Sequence, residues 1–81
     1  MKAMNQAIIT AELDSAITFS KSALESGSEE KKAKQKANGR KAYDKAFHFL
    51  ANNTLSLPIE IEISKKLSFL KSELEELGEN F

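Results

Sequence analysis

Gly39-Arg40-Lys41-Ala42-Tyr43-Asp44-Lys45-Ala46-Phe47-His48-Phe49-Leu50 is the stretch that decides the fold. It holds three of the chain's six aromatic residues, Tyr43, Phe47 and Phe49. At about 100° per residue, Gly39, Ala42, Tyr43, Ala46, Phe49 and Leu50 fall on one helical face. Small residues on that face let another helix come close, while the rings and Leu50 fill the space beside the contact. Phe47 lies at the margin of the face, and His48 lies roughly opposite it.

Upstream, the pattern predicts a first helix over about residues 3–25. Ile9, Leu13, Ala16, Ile17, Ser20, Ala23 and Leu24 share one side, and Ile8, Ala11 and Phe19 widen the apolar area. A helix apolar over so much of its circumference is expected to touch neighbours on two sides, as the middle layer of a bundle. Gly27 suits a left-handed position after this helix, and Ser28 suits the cap of the next. The second helix is expected over about 28–51, with Glu29 and Glu30 where the helix dipole favours acids. Asn38-Gly39 is a turn signal, so the alternative to one continuous helix is a break there, giving four helices.

Downstream, Leu55 and Leu57 are expected to cover the end of the bundle, and Pro58 fits the first position of a third helix over about 58–77. Ile59-Glu60-Ile61-Glu62-Ile63 alternates like a strand, but nothing else in the chain alternates to pair with it. Read as helix, Ile59, Ile63, Leu67, Leu70, Leu74 and Leu77 make a clean stripe, closed by Gly78. The fold class is therefore all-α, a single domain over 1–81 arranged as an antiparallel three-helix bundle. Lys31, Lys32, Lys34 and Lys36 open the second helix while Glu73, Glu75, Glu76 and Glu79 close the third, a pattern that places opposite charges side by side in that topology.

Eighty-one residues make one small core, with 41% hydrophobic content and no cysteine to staple it. Twelve basic and twelve acidic side chains cancel, which removes any chain-wide argument for nucleic acid or an anionic membrane. No segment approaches the ~18 apolar residues of a membrane span, and the first ten residues do not form a signal peptide, so a cytoplasmic location is the default expectation.

Chemistry-bearing residues are sparse. His48 is the single histidine, and without a cysteine or second histidine a metal site lacks ligands. The carboxylates do not pair in a catalytic arrangement, and no nucleophile elbow or phosphate-cradling glycine loop occurs. No enzyme activity, cofactor or metal is expected. The basic run holding Lys31, Lys32, Lys34, Lys36, Arg40 and Lys41 suggests a nucleic-acid accessory role as an alternative, but no aromatic interleaves it before Tyr43.

The more telling residues are apolar ones off their stripes. Ile61 and Phe69 miss the stripe of the third helix, and Phe47 is marginal on the second. Such side chains mark either a partner-binding surface or the seam of a homodimer, unless they pack beneath Leu55, Leu57 or the termini. The leading expectation is a small non-catalytic module that binds a partner helix or peptide through Ile61, Phe69 and Phe47.

The spacing Gly39-x3-Tyr43-x2-Ala46-x2-Phe49-Leu50 resembles the second helix of the three-helix MIT (microtubule-interacting and transport) domain, and more distantly tetratricopeptide-type hairpins. Ala16-Ile17 followed by Ala23-Leu24 is similar to that family's first helix, and Lys65-x3-Phe69-Leu70 resembles its third. The likeness covers about residues 16–77, with Ser72-Glu73 standing where the family tends to have Arg-Ala. It implies a three-helix bundle that accepts a partner helix or extended peptide in an interhelical groove. A tetratricopeptide solenoid does not fit in one such unit.

Overall fold

The computed structural model describes residues 6–81 and contains helices α1 (Gln6–Glu25), α2 (Glu29–Asn52) and α3 (Leu57–Glu76). Residues 3–5, expected to open the first helix, lie outside the described residues. All three helix pairs are in contact, so α1 is one corner of a triangle and not a middle layer. Ser20 of α1 meets Gln35 of α2, and Glu12 meets Lys45, which makes these two helices antiparallel. Asp14 of α1 pairs with Lys66 of α3, and Gly39 of α2 lies against Leu74. The chain is an antiparallel three-helix bundle, and no strand occurs among the described residues.

The core follows the periodic stripes. Ile9, Leu13 and Ala16 of α1 pack with Ile63, Leu67, Leu70 and Leu74 of α3, and α2 inserts Ala46 between them. Ala42, Tyr43, Phe49 and Leu50 pack against this cluster while half-buried. The fully buried residues of α2 are thus small, Gly39 and Ala46. Its helix axis can approach the others closely because little stands between them.

α2 runs unbroken through Asn38-Gly39, so the four-helix alternative is excluded. The glycine serves the packing: a Cβ built on Gly39 would lie 2.6 Å from Leu74 Cδ2. Backbone freedom is used elsewhere, at Gly78, which has φ 104°. Gly78 N–H donates to the Glu75 carbonyl and Glu79 N–H to that of Leu74, the paired bonds of a Schellman closure.

Gly27 is not left-handed, contrary to expectation. Serines hold that turn instead. Ser28 N–H donates to Ser26 Oγ at 2.9 Å, and the Ser28 hydroxyl accepts from Lys31 N–H at 3.2 Å. The latter satisfies one of the orphan donors of α2. At α3, Ser56 is the N-cap and Leu57 the first helical residue, so Pro58 occupies the second position. It still needs no backbone partner, because first-turn N–H groups have none within the helix. The alternating isoleucines are helical: Ile63 is buried, Ile59 half-buried and Ile61 exposed.

The charge pattern between α2 and α3 acts through a different residue than expected. Among the described residues no ion pair joins Lys31, Lys32, Lys34 or Lys36 to a glutamate of α3. Arg40 makes the contact, with Nη1 2.7 Å from Glu79 Oε2 and 2.9 Å from the Asn80 carbonyl oxygen. Its planar fork also reaches Asp44 at 3.1 Å, a geometry the flexible lysines do not offer.

Candidate functional site

Among the described residues seven large apolar side chains remain exposed: Ile8, Phe19, Phe47, Leu57, Ile61, Phe69 and Phe81. A bundle this small leaves some apolar surface in water as a matter of course, so grouping carries the information. Ile61 and Phe69 group. They stand two turns apart on α3, 44% and 53% exposed, around a shallow depression of about 630 Å3. Ser64, Lys65 and Ser68 lie between them. Their short or flexible side chains leave the two apolar residues standing as walls.

Phe47 is exposed as well but does not line that depression. Its ring stacks on Tyr43 at 6.2 Å between centroids, and Tyr43 meets the edge of Phe81 at 4.8 Å. Phe81 also has the Arg40 guanidinium 4.3 Å from its ring centre. The hydrogen bond from Arg40 to Asp44, and then that to Glu79, holds its pKa above the ordinary arginine value. Phe47 therefore belongs to an aromatic row, while Ile61 and Phe69 share a surface. Leu57 does not cover the bundle end as expected, being 65% exposed, whereas Leu55 packs on the core.

A second grouping lies between α1 and α2. A groove of about 650 Å3 runs from Ile8 to Phe19, floored by Ala11, Ser15, Ala16 and Ala42. Its sequence signal was the excess apolar width of α1, which the periodicity assigned to a second neighbouring helix. α2 and α3 both pack against α1, as that width predicts, and the apolar surface beyond those two contacts is left at the groove. Phe19 consequently stays 60% exposed.

Two polar groups are buried among the described residues. Ser20 is fully buried and its Oγ accepts from Gln35 Nε2 at 3.3 Å. Glu73 of α3 is 7% exposed, and its Oε1 has no hydrogen-bond partner. Burial raises the Glu73 pKa, with Glu76 acting the same way and Lys21 opposing. His48 is exposed on the outer side of α2. Among the described residues no group of three His, Cys, Asp or Glu side chains is placed to hold a metal ion. No helix among them is long and apolar enough to cross a membrane.

Compared with protein-family models, curated protein sequences and solved structures, the chain finds no significant match.

Proposed function

We propose that the protein is a small non-catalytic interaction module that binds a partner helix or peptide on the outer surface of α3. The observation that carries this reading is the pairing of Ile61 and Phe69 around one depression. Two large apolar side chains held two turns apart on a regular helix match the spacing at which a partner inserts its own apolar residues. Both side chains are already about half-buried, so covering the rest would contribute roughly half of the about 1.5–3 kcal/mol for full burial of each, on the order of 2 kcal/mol together, the scale of a weak anchor that further contacts must supplement. The serines between them offer hydroxyls for a partner's polar rim.

The variant Ile61→Asp/Phe69→Asp tests this reading. Both positions are about half exposed, so the fold is expected to persist, with a loss of roughly 1 kcal/mol for each substitution. Affinity capture from the native cell with wild-type and variant bait is expected to show partner proteins lost on the double substitution. Capture unchanged by a folded variant would overturn the reading. Sedimentation at micromolar concentration separates the homodimer: a wild-type dimer that becomes a monomer on the same substitution would assign these residues to a self-association seam.

A further inference from the structure

We infer that the groove between α1 and α2 is a second docking site, shaped for an amphipathic helix that carries acidic residues along one flank of its apolar stripe. This rests on the reading of the chain as an interaction module, but it concerns a different surface and specifies the chemistry of the ligand.

The groove has the dimensions of a helix seat. Ile8, Ala11, Ser15 and Phe19 follow one another at helical spacing along the α1 side of the groove. At about 1.5 Å per residue they span roughly 16 Å. A smaller hollow of about 290 Å3 shares Phe19 and Gln35 with the groove and continues it to Ala23 and Lys31. The combined length fits a helix of about fifteen residues. The alanine and serine floor lets a helix backbone settle close, with Phe19 as the ridge it packs around. An extended peptide has less to gain, because helices present no open backbone edge for strand pairing.

The walls differ in charge. On the α2 side stand Lys31, Lys34, Lys41 and Lys45, while the α1 side carries one carboxylate, Glu12. Glu12 lies 3.3 Å from Lys45. Lys31, Lys34 and Lys41 have no ion pair among the described residues. The chain is neutral overall, so this is a local asymmetry and not a consequence of composition. Lysine stems extend the apolar wall while their ammonium groups stay in water above it. A ligand helix with glutamates on the side facing α2 meets those ammonium groups, and one with lysines there is repelled. Each surface pair is weak, so apolar burial supplies the affinity and the lysine row supplies discrimination and direction.

The probes are two fifteen-residue designed helical peptides with the same leucine stripe, one with glutamates along one flank and one with lysines in their place. A short oligothymidylate serves as a third probe. Titration of the 15N-labelled chain is expected to show the acidic peptide binding with a Kd below about 100 μM and shifting amides in residues 11–19 and 38–45. Lys34→Glu/Lys41→Glu should weaken the acidic peptide at least about tenfold and strengthen the basic one. Phe19→Ser should weaken both. Ile61→Asp/Phe69→Asp should leave both affinities unchanged, so failure at one surface is distinguishable from failure at the other. No binding at millimolar concentration, equal affinity for the two peptides, shifts centred on α3, or tighter binding of the oligothymidylate would each overturn the inference.

Discussion

Gly39→Leu is expected to remove on the order of 3 kcal/mol or more of folding stability, because the site has no room for a side chain. Even a Cβ would lie 2.6 Å from Leu74 Cδ2, and Leu74 is fully buried. Its methyl cannot swing into solvent, so α2 and α3 must separate or Leu74 must leave its rotamer. A domain of this size has about 4–12 kcal/mol in total, so the loss is a large share. Gly39→Ala sets two effects against each other. Overpacking costs about 1–3 kcal/mol, and better helix propensity returns about 1 kcal/mol. The net is a loss of roughly 0–2 kcal/mol. Urea denaturation of Gly39→Ala alone and with Leu74→Ala isolates the contact. Removing the Leu74 methyls should make Gly39→Ala less costly, with a positive coupling of about 1 kcal/mol. Additive effects, or a Gly39→Leu variant as stable as the wild type, would contradict the close packing of these helices.

The second large effect runs in the stabilising direction. Glu73 is buried with an unpartnered Oε1, and a buried acceptor without a donor costs about 1–3 kcal/mol. Glu73→Met keeps similar volume and removes that acceptor, so at pH 7 it should stabilise the bundle by about 1–2 kcal/mol after the lost attraction to Lys21 is counted. The pH dependence has a definite sign. Burial raises the folded-state pKa above the ordinary value of 4.5, so between those two values the native state binds more protons than the unfolded chain. Stability contributed by Glu73 is therefore present below about pH 4.5 and is lost as pH rises through the raised value. The advantage of Glu73→Met should grow between pH 4 and pH 7. Denaturation midpoints of both proteins across that range give the measurement, and an advantage that shrinks with rising pH would contradict it.

The fold was legible in the sequence because the apolar positions of all three helices recur at helical spacing. Ile63, Leu67, Leu70 and Leu74 lie where the stripe placed them, and so do Gly39 and Ala46. Glu73 was not legible, because it stands among the glutamates that close the third helix, and only tertiary packing buries it. Gly27 misled because serines on either side supply the turn's hydrogen bonds, making a left-handed residue unnecessary. The candidate surface was legible in part. Ile61 and Phe69 stood out by missing the stripe of α3, and the structure groups them. Phe47 stood out for the same reason, yet its partners are Tyr43's ring and the aromatic row that extends to Phe81. The α1–α2 groove was hidden because its apolar walls looked like core. A wide apolar face does not say how much of it the neighbouring helices leave uncovered.

The central proposal is that the α3 surface at Ile61 and Phe69 meets another protein. The most direct measurement places a photoreactive benzoylphenylalanine at Phe69 and irradiates the native cell. The expected result is a covalent adduct with a different protein, absent when Ile61→Asp is present in the same chain. An adduct only at twice the mass of the chain, or no adduct that depends on Ile61, would contradict it.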